Sequence, residues 1–126
     1  MRLLLDSHML LWWPSGSPRL GARATELIMA ADTQLFMSAA SWWELAIKYA
    51  LGRLKVDLPA TREAIERRGT TALAVSMKHA ETAAALNRLH GDPFDHMLVA
   101  QAISEDLMLL TRDAHLEAYG SHVLCV

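Results

Sequence analysis

Short apolar runs alternate along the chain with longer stretches whose apolar residues recur at helical spacing, and the alternation is regular enough to predict the order of elements. Arg2 to Leu5 reads as a buried strand, an apolar run closed by a polar residue, and Gln34 to Ser38 reads the same way. Between them the pattern predicts a helix from about Ser7 to Trp13 that stops at Pro14. A second helix follows, with Ser17 as N-cap and Pro18 at its first position, continuing to about Ala31. Ser41 is the expected cap of the next helix, with Glu44 three residues on in the capping-box position and Gly52 as the stop. Thr61 is expected to cap a charged helix reaching Arg68, with Gly69 ending it.

The second half repeats the alternation. Thr71 to Val75 predicts a third strand, Ser76 caps a helix to about Leu89, and His90-Gly91-Asp92-Pro93 is a loop leading into a helix from about Phe94 to Glu105. Leu107 to Thr111 is the fourth expected strand, Ala114 to Tyr119 a short helix and His122 to Cys125 the fifth strand. Alternating strands and helices with apolar strands predict an α/β fold, a mostly parallel five-stranded sheet covered by helices on both faces. Such sheets bind ligands beyond the carboxyl ends of their strands, near a switch in strand order. Asp6 and Asp113 fall just past such ends.

Composition narrows the class. At 126 residues and 52% hydrophobic content, the chain has material for one core, and a single domain over 1–126 is expected. The run from Met9 to Trp13 is too short to cross a bilayer, and the start shows no charged leader with a small-residue cleavage site, so no membrane partner and a cytoplasmic location are expected. The lone cysteine, Cys125, reads as a buried strand residue. The formal charge of −2 argues at first against a polyanionic substrate. Setting four candidate ligands aside from the 14 acids leaves 10, against 12 Lys plus Arg, and bound divalent ions would offset the rest. A nucleic acid is then allowed.

Those four candidates stand at breaks in the apolar pattern: Asp6 after Leu3-Leu4-Leu5, Glu44 after Ser41-Trp42-Trp43, Asp95 within Asp92-Pro93-Phe94-Asp95, and Asp113 after Thr111-Arg112. Converging carboxylates suit a hard ion such as Mg²⁺ or Mn²⁺ and point to phosphoester chemistry. Each also has a plainer reading. Asp6 and Asp113 can cap the helices that follow them, and Glu44 can close a capping box or pair with Lys48 four residues later. Asp92 reads as an N-cap rather than a ligand, whereas Asp95, inside the first turn, is favoured by the exposed amides and the helix dipole. Haloacid-dehalogenase and receiver folds also open on a strand followed by an aspartate, but one needs a second aspartate where His8 stands and the other an acidic pair where only Asp6 is found. His8, His90, His96 and His115 lie near the acids without a zinc spacing and read as surface or supporting groups. In the pairs Trp12-Trp13 and Trp42-Trp43, at least one ring of each is expected in the core and the others at an interface.

Leu3-Leu4-Leu5-Asp6-Ser7-His8, Ser38 to Lys48, His90 to His96 with Ala100-Gln101-Ala102, and Leu110-Thr111-Arg112-Asp113 together resemble a PIN domain, and more narrowly the VapC-type toxins of type II toxin–antitoxin pairs. The resemblance runs from Leu3 to about Leu124. It implies an α/β/α sandwich with strand order 3-2-1-4-5 and a Mg²⁺- or Mn²⁺-dependent endoribonuclease whose acids are Asp6, Glu44, Asp95 and Asp113. Ser7, Lys48 and Arg112 become candidate substrate contacts. Ser7 keeps a hydroxyl where the family often has threonine, and His96 stands where the Asp-Pro-Phe-Asp subgroup often has arginine. The implied partners are RNA, a cognate antitoxin and a second copy of the chain. Crowding of Leu10, Leu11, Trp12 and Trp13 on one short helix suggests a groove there, shared with the outward face of the Ser41 to Leu51 helix, for an apolar antitoxin segment. The competing reading is a non-catalytic PIN-fold interaction module whose acids are caps or structural metal ligands.

Overall fold

Five strands form the centre of the protein. The computed structural model describes residues 1–87 and 91–126, so the expected ends of the Ser76 helix at Leu89 and of the loop at His90 lie outside the described residues. The strands are β1 (Arg2–Leu5), β2 (Gln34–Ser38), β3 (Thr71–Leu73), β4 (Met108–Thr111) and β5 (Val123–Cys125). Their order is β3-β2-β1-β4-β5 and every neighbouring pair is parallel. Half-buried Cys125 lies on the edge strand.

Side-chain alternation on β1 sets the layers. Leu3 and Leu5 face one core with Met9, Leu10, Trp13, Ala24, Ile28, Leu45 and Ile65, while Leu4 faces another with Leu98, Val99, Ala102 and Leu116. Helices α1 (Ser7–Ser15), α2 (Ala22–Met29), α3 (Ala39–Ala50) and α4 (Leu58–Arg67) supply the first core, and α6 (Pro93–Glu105) the second, with α5 (Met77–Ala85) packed against it. This is the expected three-layer α/β/α arrangement. The chain steps outward from β1 to β2 and β3, then returns to add β4 on the other side of β1, so the switch in strand order lies between β1 and β4.

Local chemistry moved several boundaries. Helix α1 continues through Pro14 to Ser15, and Gly16 at φ 67 closes the helix with the Ser17 amide on the Trp12 carbonyl (3.0 Å). The single helix expected from Ser17 to Ala31 is instead a 3-10 turn at Pro18–Leu20 and then α2, broken where Gly21 takes φ 85. Ser38, not Ser41, caps α3: its hydroxyl accepts from the Ala40 amide at 3.0 Å, while Ser41 lies inside the helix, fully buried. Asp57 rather than Thr61 caps α4, accepting from the Ala60 amide at 3.0 Å, which leaves Pro59 in the first turn where its missing N–H costs least.

Each tryptophan pair puts at least one ring against the core, and in the first pair half-buried Trp12 packs there beside Trp13. Trp13 is buried, with Arg68 over its ring at 5.1 Å, and Trp42 packs against the core, whereas Trp43 is 62% exposed. A groove of about 580 Å³ does run beside α1. Its opposite wall is α4 (Ala60, Thr61, Ala64) with Leu54 and Val56, not the outward face of α3, and α1 contributes Leu11 and Trp12 rather than Trp13.

Candidate active site at the strand switch point

Asp6, Glu44, Asp95 and Asp113 come from four separate segments and line one pocket of about 310 Å³, together with His8, Met9, Trp12, Asp92 and Arg112. The fold explains the convergence. Asp6 follows β1 and Asp113 follows β4, the two strands that flank the switch, while α3 after β2 carries Glu44 and the first turn of α6 carries Asp95.

Asp6 is both a cap and a pocket residue. Its Oδ1 accepts from the His8 amide (3.2 Å), and Oδ2 accepts from the Thr111 hydroxyl (2.6 Å), which in turn accepts from the Asp113 amide (3.0 Å). Thr111, fully buried, therefore ties the first acid to the backbone of the fourth. Asp113 caps the 3-10 turn Ala114–Tyr119, accepting from the His115 amide (3.0 Å) and bonding its ring Nδ1 (2.9 Å). With α3 starting at Ala39, Glu44 lies in the second turn and no capping box exists. Its oxygen instead meets the Lys48 ammonium at 3.3 Å, with the glutamate side chain only 15% exposed.

A second tie joins the helices that carry Glu44 and Asp95. Ser38 Oγ donates to Gln101 Oε1 of α6 (2.5 Å), and Gln101 also reaches the Ala74 carbonyl at 3.4 Å. Ser38 and Gln101 are fully buried, so the bond locks α3 to α6 where water cannot compete.

Asp92 caps α6 as expected, accepting from the Phe94 (2.9 Å) and Asp95 (3.3 Å) amides, yet it also lines the pocket as a fifth acid. Burial, and then the charges of Asp92, Asp6, Glu44 and Asp113 in that order, push the Asp95 carboxyl from its ordinary 3.8 to about 7. Asp92→Asn should preserve the cap, since asparagine caps as well as aspartate. It should also move the Asp95 titration downward in a carbon-detected NMR pH series. An unmoved titration would show that Asp92 is not one of the charges felt by Asp95.

Arg112 is the pocket's cation. Its guanidinium donates to the Arg19 carbonyl (2.9 Å) and occupies space at Gly21 that a Cβ would invade at 2.4 Å, so the glycine that breaks the second helix also seats this arginine. Ser7 and Lys48 are not on the pocket wall. Ser7 is 2% exposed and its hydroxyl has no hydrogen-bond partner among the described residues, and Lys48 reaches the site through Glu44. His96 also faces away, buried edge-on against Tyr119 at 5.8 Å. The pocket residues not singled out in the sequence as site groups are His8, Met9, Trp12 and Asp92. The spacing of His8 and Trp12, one helical turn apart directly after Asp6, was the available signal.

The donor set is all hard oxygen, which suits Mg²⁺ or Mn²⁺. Among the described residues, no three acids or histidines are drawn in closely enough to form a ready-made ion cage. Mutual repulsion of carboxylates resists such closure, and the same charges add to the burial that raises the Asp95 carboxyl.

Comparison with known proteins agrees with the fold. The PIN domain family matches residues 3–121. Ribonuclease VapC22 of Mycobacterium tuberculosis is 34% identical over 121 residues, covering 93% of this chain and 91% of that protein. Among solved structures, VapBC2 from Rickettsia felis bound to a DNA fragment from its promoter superposes with TM-score 0.71 at 14% identity, covering 100% of this chain and 98% of the other. A toxin–antitoxin complex from Klebsiella pneumoniae gives TM-score 0.69 at 23% identity, with 97% and 95% covered. The chain therefore belongs to the PIN domain family and, within it, to the VapC-type proteins.

Proposed function

We propose that the protein is a Mg²⁺- or Mn²⁺-dependent endoribonuclease that acts as the toxin of a type II toxin–antitoxin pair. One observation carries the reading: Asp6, Glu44, Asp95 and Asp113, from four separate segments, share one pocket at the strand switch point. The relative named a ribonuclease supports the activity, and the solved toxin–antitoxin complexes of the same fold support an antitoxin partner. RNA as substrate, a second copy of the chain as partner and a cytoplasmic location belong to the same proposal. Among the described residues, no helix is long and apolar enough to cross a membrane.

In this reading Asp6 and Asp95 would hold the ion, and Glu44 and Asp113 would complete its surroundings or orient water. When bound, the ion supplies an acidified water and offsets charge on the scissile phosphate. Thr111 fixes the orientation of Asp6 through Oδ2, and Lys48 balances Glu44 at 3.3 Å. Arg112, held by the Arg19 carbonyl, presents its cation to the phosphate. Ser7, buried and off the pocket wall, has no place against the substrate in this reading.

A non-catalytic module would keep these acids as caps or as structural metal ligands. Asp6, Asp92 and Asp113 do cap helices, but Glu44 and Asp95 are not cap residues, so capping alone leaves two of the pocket acids without a role. The discriminating experiment is incubation of purified protein with total cellular RNA. Discrete fragments that form only with Mg²⁺ or Mn²⁺, and stop forming on EDTA addition, are expected. Intact RNA under all metal conditions, or cleavage indifferent to EDTA, would reject the proposal. End mapping of the fragments identifies the RNA.

A further inference from the structure

His8 and Trp12 stand one turn apart on α1, immediately after Asp6, and their rings are stacked: centroids 5.4 Å apart, planes 17° from parallel. Both line the acidic pocket. Trp12 is half-buried and packs against the main core, so it is the fixed member of the pair, while the His8 side chain is 56% exposed and leaves ring surface open to solvent. The His8 backbone is pinned by the hydrogen bond its amide donates to Asp6 Oδ1, so the platform and the first acid share one anchor.

We propose that His8 and Trp12 form a stacking platform for one unpaired RNA base beside the scissile phosphate. The inference rests on the ribonuclease reading and adds a base-binding subsite to it. A pocket walled by five carboxylates repels a phosphate backbone wherever no cation intervenes, whereas a base is neutral and offers a π-face. A base on the exposed ring of His8 extends the existing pair to a stack of three. Recognition of RNA through unpaired bases stacked on aromatic rings is how single strands are generally read. Because every base has a π-face, the platform selects an unpaired nucleotide, and a purine over a pyrimidine by area, without reading a particular base edge.

The test uses a short unpaired RNA containing one mapped cleavage site, and a series in which a single nucleotide near that site is abasic. Cleavage in Mn²⁺ and binding in Ca²⁺, by fluorescence anisotropy, are measured for wild type, His8→Ala and Trp12→Phe. All three proteins are first compared by thermal melting. In wild type, one abasic position should lower kcat/KM and affinity by about 10- to 100-fold, the range expected of one stacked base. His8→Ala should lower both on the intact RNA and add little on that abasic RNA, and Trp12→Phe, which keeps a ring, should retain most of the wild-type preference. A loss acting through Asp6 would scale intact and abasic RNAs alike, so penalties that multiply overturn the platform, as does a wild type indifferent to every abasic position. If no RNA is cut but base-dependent binding is present and disappears in His8→Ala, the platform stands and the nuclease reading falls.

Discussion

Asp95→Asn is expected to reduce metal-dependent RNA cleavage by at least about a thousandfold while leaving the protein folded and, at neutral pH, more stable than wild type. The swap keeps the shape of the side chain and removes one hard oxygen charge from the pocket. The stability gain follows from proton linkage. Asp95 titrates near 7 in the folded chain against an ordinary 3.8, so between about pH 4 and pH 7 the folded state binds the extra proton. The Asp95 contribution to wild-type stability is therefore full below about pH 4, falls as pH rises through that window, and is level above it. Asparagine has no such dependence, and because Asp95 is partly solvated the gain above pH 7 is about 1–2 kcal/mol. Asp6→Asn should abolish cleavage as well. Cleavage assays with Mn²⁺ and chemical denaturation at pH 5 and pH 8 check both halves, and near-wild-type cleavage by either variant would reject the assignment of these ligands.

Trp13→Ala is expected to cost about 3–5 kcal/mol, the range for removing a large buried ring and leaving a cavity. That is a large part of the stability of a domain this size. The ring lies in the main core beneath the Arg68 guanidinium, so its loss removes packing between β1, α1 and α4 together. Trp43→Ala, at a ring 62% exposed, should change stability by less than about 1 kcal/mol. Urea denaturation of both variants tests this, and similar midpoints for the two would contradict the burial of Trp13. The result also bears on where a partner docks, since a groove built on Leu11, Trp12 and α4 cannot be probed by mutating a core residue.

Much of the fold was legible because the strands are short apolar runs between well-marked polar breaks. Arg2–Leu5 and Gln34–Ser38 fall where the pattern put them, and the strand order is the one implied by the PIN resemblance. Helix starts were harder. Ser38 and Ser41 both offer a hydroxyl before an apolar stretch; the Ser38 hydroxyl takes the Ala40 amide and also bonds Gln101, 63 residues away, a partner that local pattern does not reveal. Asp57 and Thr61 posed the same choice, settled by Pro59, which belongs in a first turn. Gly21 lay hidden inside a helical pattern because its left-handed backbone serves the seat of Arg112, contributed by a strand end far along the chain.

The candidate site shows the same division. The four acids were visible as polar interruptions of the apolar pattern, whereas dual roles were not. Asp92 and Asp6 each cap a helix and face the pocket, and a sequence offers no means of seeing that one carboxylate does both. Ser7 and Lys48, next to Asp6 and Glu44 in sequence or helix space, turned out to sit behind the pocket wall rather than on it. The Thr111 bridge was equally hidden, because it depends on β1 and β4 lying side by side.

The most direct test of the central claim is Mn²⁺ binding, followed by electron paramagnetic resonance or calorimetry at pH 8, in wild type and Asp95→Asn. Saturable binding to the wild-type pocket is expected, weakening as pH falls below about 7 where a proton on Asp95 competes with the ion, and so is loss of that binding in the variant. Equal affinity in the two proteins, or RNA cleavage by a wild type that binds no ion, would contradict it.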